Sequence, residues 1–216
     1  LLSLQHNRFF MQENKNNTAY KLSLRDKILD TAMIMFTTKG IRAVKMDDIA
    51  NSLQISKRTL YELYSDKEHL LLEGLKKHIN LRSAEMHKMA EEKDNVMDII
   101  LEVFLRKVDE FKKTDPQFYD DILRYPEVTK YFQQDKEHAQ EQMESFMKRG
   151  VAEGYFRENV NYELICTMFD LQHKIIMSNR MYNKYSMHEI LDSFIFVFLR
   201  GVCTKKGIDV LDAFKD

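Results

Sequence analysis

The sequence predicts an all-α protein: a small three-helix N-terminal unit followed by a larger helical body, about nine helices in all. Three observations lead there. In 216 residues there are only 2 Pro and 6 Gly, too few breakers to interrupt long helices often. Apolar residues recur along most of the chain at the three- and four-residue spacing of a helix that buries one face. Ser65-Asp-Lys-Glu68 and Ser186-Met-His-Glu189 each have the form of a capping box, in which a Ser hydroxyl and a Glu carboxylate satisfy two orphan amides reciprocally.

Taken in order, residues 1–21 are expected to form a mobile arm, because 11–20 are polar and Asn-rich. Met11 is a candidate initiator. Ser23 is expected to cap the first helix, with Leu24, Ile28, Ala32, Met35 and Phe36 on its apolar face and Gly40 ending it. Residues 46–65 read as two short helices joined by a tight turn. Met46, Ile49, Ala50, Leu53, Ile55, Leu60 and Leu63 face inward. A long helix follows from Ser65 to about Ala90, and the body is assigned to 69–216. There, Asn95 to Lys113 carries a broad apolar stripe, Asp115-Pro116 starts another helix, and Pro126 forces a break before a helix from Val128 to Gly150. Gly154 lies in a turn. Asn161 starts a helix to about Tyr182, and Ser186 opens the last one, to Val202.

Composition excludes several classes. No 18-residue apolar run exists, so no membrane span or membrane partner is expected, and the first residues lack the pattern of a signal peptide. A cytoplasmic location is expected. Cys166 and Cys203 have no metal or redox spacing and read as buried reduced thiols. Glu-x-x-His, His-Glu-x-x-His and Gly-rich phosphate loops are all absent from the sequence, and no serine or cysteine has a nucleophile signature. Asp135, His138 and Glu141 are three apart, as chance readily places them in a charged helix. Hence no enzyme, no cofactor and no metal is expected. The net charge of −1 hides an asymmetry: +1 in residues 1–20, +3 in 21–67 and −5 in the remainder. A basic module on an acidic body suits a polyanion at one end only.

The chemistry concentrates at the second short helix. Ser56 is its natural N-cap, and Lys57, Arg58, Thr59 and Tyr61 stand free at its start. A helix-turn-helix reads double-stranded DNA in this way, with hydrogen-bonding side chains at the N-terminal end of a helix laid in the major groove. Backbone amides at that end favour a phosphate. Tyr64 and Lys67 are placed for backbone contacts, although Tyr64 serves equally well as a core residue of the small unit. Glu62 has the wrong sign for phosphate and is expected to pair with Arg58.

Thr59-Leu-Tyr-Glu-Leu-Tyr-Ser-Asp-Lys-Glu-His-Leu-Leu71, with Ile28-Leu-Asp-Thr-Ala-Met-Ile-Met-Phe36, Gly40 and Met46-Asp-Asp-Ile-Ala50 before it, resembles the TetR family of bacterial transcriptional repressors. The resemblance covers residues 22–72 and implies a DNA-binding domain at 22–68. It assigns DNA contacts to Lys57, Thr59, Tyr61, Tyr64 and Lys67, and less directly to Ser56 and Arg58. Two positions depart from the family pattern. Lys45 stands where a capping Thr is usual and cannot accept the amide hydrogen bond, but it can meet a phosphate. Gln54 stands where Gly is usual, which costs strain if that backbone has positive φ.

The resemblance further implies a homodimer on a palindromic operator, released when a small apolar or aromatic ligand binds the body. The natural dimer surface is Leu164, Met168, Leu171 and Ile175, then Ile190, Phe194, Ile195, Phe198 and Val202, with Gly201 allowing close approach. Ligand candidates are Phe104, Phe111, Tyr119, Phe132, Phe169, His173 and Met177, each of which serves equally as core. Control by a protein partner is the alternative, with a helical metal enzyme well behind.

Overall fold

A computed structural model describes the backbone of residues 2–134 and 136–215, and side chains from Ala19 onward except those of 136–140, 170, 173, 187, 195 and 215. The chain divides into two units, Leu1–His78 and Ile79–Asp216, with the boundary later than the expected one at 68.

The first unit holds α1 (Leu2–Lys39), α2 (Met46–Ser52), α3 (Lys57–Leu63) and the start of α4 (Lys67–Glu92). Helix α1 begins at Leu2, not at Ser23, and the segment expected to be an unstructured arm is helical. No Pro or Gly occurs before Gly40, so nothing stops the helix from running through the weakly helix-forming Asn residues. Leu24, Ile28, Ala32 and Phe36 are buried, as are Ile49, Ala50, Leu60, Leu70 and Leu71. Each of the Leu, Ile and Phe side chains among them stabilises the unit by roughly 1.5–3 kcal/mol. Met35, expected inside, is only half-buried, and Met33 is the buried one. Gly74 makes room for it, since a Cβ there would lie 2.7 Å from Met33 Sδ. Lys77 bridges Asp26 at 3.2 Å and Asp30 at 2.7 Å, fastening α4 to α1.

The turns follow the chain's local chemistry. Gly40 ends α1 at φ +79°. Asp48 accepts the Lys45 amide at 2.8 Å, the reciprocal half of a capping box, while no side chain at Lys45 caps the first amides of α2. Gln54 sits at φ +55°, the left-handed region expected to strain a residue with a Cβ. Gln54→Gly is therefore expected to stabilise the first unit by about 0.5–1 kcal/mol, read as a higher melting temperature with unchanged helix content. The cap of α4 is Asp66, not Ser65. Asp66 Oδ1 accepts the His69 amide at 2.8 Å, and Ser65 Oγ donates to Asp66 Oδ2. These bonds hold the Asp66 carboxyl below its ordinary value, the His69 amide foremost.

The second unit holds the rest of α4, then α5 (Val96–Lys113), α6 (Pro116–Ile122), α7 (Pro126–Gln134), α8 (Lys136–Ala152) and α9 (Tyr162–Ser178). A 3-10 turn (Met181–Asn183) leads to α10, the helical run 187–202, and to α11 (Lys205–Lys215). That makes eleven helices among the described residues against the nine expected. Pro126 starts α7 as its first residue instead of breaking the chain before Val128. The single helix expected over 128–150 is two, and α11 was not anticipated. No strand occurs among the described residues, only an antiparallel bridge between Phe156 and Cys203.

Several caps agree with expectation. Asp115 accepts the Gln117 amide at 2.7 Å, and Asn161 accepts that of Leu164 at 3.0 Å. Ser186 and Glu189 close a full capping box. Helix α9 stops at Ser178, short of Tyr182, because Arg180 turns into the left-handed region at φ +50°; its guanidinium is held by Asp120 at 3.0 Å. Within α10, residues Asp192–Phe196 form a π turn.

The core of this unit joins Val96, Met97, Phe104 and Val108 to Phe156, Phe196, Leu199, Val202 and Leu211. Phe104 meets Phe196 edge-on at 4.9 Å, a favoured aromatic geometry. Gly150 allows Phe156 in, since a Cβ there would lie 2.1 Å from its ring. Cys203 is buried, its thiol pushed up to about 11 by burial, and Cys166 is half-buried; neither is in a disulfide.

Candidate nucleic-acid interface

Three local features build the presented end of α3. Ser56 Oγ accepts the Thr59 amide at 3.0 Å, fixing the helix start. The buried Leu60 anchors the opposite face. Ile55 donates its amide to the Ala50 carbonyl at 3.0 Å, closing the turn from α2. What remains outward is Lys57, Arg58 and Tyr61, the last 48% exposed. Thr59 is half-buried, its hydroxyl 2.8 Å from Ser56 Oγ. Lys45 is exposed at the start of α2.

Both leading cations are already paired. Lys57 Nζ bonds Asp47, which raises its pKa above the ordinary lysine value through the hydrogen bond first and the charge second. Arg58 Nε donates to Glu62 at 2.8 Å, the pairing expected from the sequence. Asp47 was not singled out from the sequence. It lies ten positions from Lys57, and only the bend between α2 and α3 brings the two together.

Two expected contacts take other roles. Tyr64 is fully buried, so it does not present its phenol outward. Its hydroxyl donates to the Arg25 carbonyl at 3.3 Å, and the Arg25 guanidinium lies 5.1 Å from the ring centre. Burial raises its pKa. Lys67 donates to the carbonyls of Ile41 at 3.0 Å and Val44 at 2.9 Å. It closes the loop between α1 and α2, a polar backbone that would otherwise want partners. Lys67→Met is expected to destabilise the first unit by about 1–2 kcal/mol, seen as a lower melting temperature. A purely phosphate-directed lysine would leave that temperature unchanged.

The second unit gathers two of the six ligand candidates whose side chains are described. Phe111 and Tyr119 line a cavity of about 230 Å3 together with Val108, Lys112, Thr114, Pro116, Tyr182, Ser186 and His188. Phe104 belongs to the core instead. Phe132 and Phe169 are exposed, and Met177 lies away from the lining. The cavity forms where α5 ends and α6 begins, so Phe132 on α7 and Phe169 and Met177 on α9 fall outside it. The His173 side chain lies outside the described residues, as do Asp135 and the side chains of His138 and Ile195.

The expected dimer surface divides. On α9, Leu164, Met168, Leu171 and Ile175 form an apolar row exposed between 43% and 55%. Gly201 is open, with nothing within 4 Å of an added Cβ. Phe194 and Phe198 are half-buried, and Phe198 meets Phe169 at 5.8 Å. Val202 and Ile190 are buried and belong to the interior of the unit. Among the described residues no three His, Cys, Asp or Glu side chains group to hold a metal. No helix there is long and apolar enough to cross a membrane.

Residues 28–73 match the family model described as bacterial regulatory proteins, tetR family. The HTH-type transcriptional repressor KstR2 of Mycobacterium tuberculosis is 22% identical over 194 residues, 86% of this chain and 96% of that protein. The Staphylococcus epidermidis IcaR, a negative transcriptional regulator of a biofilm operon, is 40% identical over 47 residues, 22% of this chain and 25% of its own. Among solved structures, a Saccharomonospora viridis protein in complex with choline superposes with a TM-score of 0.65 at 16% identity, covering 85% of this chain and 99% of that one. These relatives are regulators rather than enzymes. Residues 28–73 are thus a DNA-binding module of the tetR family of bacterial regulatory proteins, and the chain as a whole shares the fold of solved transcriptional regulators.

Proposed function

We propose that the chain is a repressor that binds a palindromic operator as a homodimer and leaves it when a small molecule occupies the helical body. The outward, capped start of α3 carries this reading. Lys57, Arg58, Thr59 and Tyr61 sit on one short helix end, beside the exposed Lys45 and the Ser56 cap. Lys57 and Arg58 are placed for guanine edges or phosphates, Thr59 for thymine or phosphate, and Tyr61 for the backbone.

One such helix touches too few base pairs for useful specificity, so a second copy is required. The exposed row on α9 supports that copy. Its spacing of four, three and four residues is a heptad seam, which buries itself against an equivalent helix. Two-fold pairing then demands half-sites about 34 Å apart or a multiple of that. The repressor names of the M. tuberculosis and S. epidermidis relatives favour repression over activation. The choline held by the S. viridis protein favours a small-molecule effector. Release follows from linkage: a ligand that prefers the DNA-free state weakens DNA binding by the factor by which DNA weakens its own. Such a regulator works in the cytoplasm, where the DNA is.

Selection of genomic fragments by the purified protein tests the proposal. The expected product is a short palindrome bound by two protomers. Absence of any saturable complex at low salt, or a recovered site without two-fold symmetry, overturns it.

A further inference from the structure

Resting on the effector reading above, we infer that the cavity at the end of α5 takes a single-ring aromatic carboxylate, its ring against Phe111, Tyr119 and Tyr182 and its acid group on Lys112 Nζ. Size sets the first limit. An apolar cavity of about 150 Å3 accepts benzene, so the 230 Å3 present here has room for one six-membered ring with a short substituent.

The walls set the second limit. Ring centres lie 5.4 Å apart for Phe111 and Tyr119 and 5.7 Å apart for Tyr119 and Tyr182, all tilted, an arrangement into which another aromatic ring fits favourably. Tyr182 turns its hydroxyl to the protein, donating to Asp120 at 2.5 Å, and the Thr114 hydroxyl donates to the Glu110 carbonyl at 2.8 Å. Burial pushes the Tyr119 phenol up to about 12, so it stays neutral wherever a carboxylic acid is charged. The walls therefore offer apolar ring surface, and a ligand's polar end must look to the rim.

Charge sets the third limit. The lining contains no carboxylate, and the neighbouring acids are committed. Glu110 holds Arg82 and Lys107, and Asp109 holds Lys113. Asp120 holds Arg180, and Glu189 is engaged by the Ser186 cap. Lys112 lines the same cavity and makes no ion pair with any described residue. His188 adds a second donor at the rim. Lys112 is the one formally charged side chain among the lining residues, so an anion finds a partner there that a cation does not.

Three probes with one ring and different heads test this on the full-length protein: benzoate, benzyl alcohol and benzylamine, by titration calorimetry and thermal shift. Benzoate is expected to bind about five-fold more tightly than either of the others, as one partly exposed ion pair allows. Lys112→Ala should level benzoate with benzyl alcohol, and Lys112→Glu should move the preference to benzylamine. Lys112 is exposed, so neither change threatens folding. Equal binding of the three probes, a preference untouched by both substitutions, or no binding at about 10 mM overturns the assignment. The effector reading fails separately: if benzoate binds with this preference yet leaves operator affinity unchanged, the site stands and the release mechanism does not.

Discussion

Tyr64→Ala is expected to destabilise the first unit by about 3–5 kcal/mol, the usual cost of emptying a fully buried aromatic position, and to abolish DNA binding with it. The ring has no exposed surface, lies under the Arg25 guanidinium and closes on the Arg25 carbonyl. Folded domains are stable by only about 5–15 kcal/mol, so such a loss removes a large share of what holds a small unit folded. Tyr64→Phe separates the core role from a contact role. It keeps the ring and removes one long hydrogen bond, at about 0.5–1.5 kcal/mol, with operator affinity nearly unchanged. Circular dichroism melts and anisotropy titrations on both variants decide the matter. If Phe lost operator affinity at an unaltered melting temperature, the phenol would have to be reaching DNA.

The second large effect concerns Lys57 and Asp47. Lys57→Ala is expected to weaken operator binding by about 1–3 kcal/mol for each half-site whose base contact is lost, and twice that in a two-fold complex. Asp47→Asn should act in the opposite sense on random DNA. The Asp47 carboxylate competes with every phosphate for the Lys57 ammonium. Removing its charge should raise non-specific affinity several-fold and steepen the dependence of log K on log salt by about one unit per phosphate gained. The operator should gain less, because a bound base edge already outcompetes Asp47, so the ratio of specific to random binding falls. Titrations between about 50 and 200 mM salt read both quantities. An Asp47→Asn protein with wild-type affinity on both DNAs would show that the pair does not restrain Lys57.

Local signals carried much of this into the sequence. Caps at Ser56, Asp115, Asn161 and Ser186 lie within three residues of the amides they serve, and all are made. The apolar faces of α1, α2 and α3 were legible for the same reason, as was the strain at Gln54, whose φ is set by a turn of a few residues. Contacts made across the fold were not. Lys67 is 26 residues from the Ile41 carbonyl it holds, and Tyr64 is 39 from that of Arg25. Neither spacing leaves a periodic trace, so Lys67 read as a DNA contact and Tyr64 as either a DNA contact or a core residue. The cavity was half-visible. Phe111 and Tyr119 were named, but Tyr182 was assigned to the end of a helix that in fact stops at Ser178. The early stop comes from Arg180, an ordinary residue in a glycine-like conformation, held there by an aspartate 60 positions away.

The π turn at Asp192–Phe196 has a geometric sequel. One surplus residue in a helix retards everything after it by about 100°. Counting onward from the buried Ile190 by ordinary helical steps points Val197 and Gly201 at the interior, yet Val197 is 70% exposed and Gly201 open, while Leu199 and Val202 are the ones enclosed. The bulge thus works as a phase shifter, choosing which half of the terminal segment is sequestered and which is offered to a neighbour. Excising a single amino acid from that wide turn would let it close to an ordinary α-helical one with Leu199 and Val202 still enclosed, whereas straightening it at full length would drive Val197 inward.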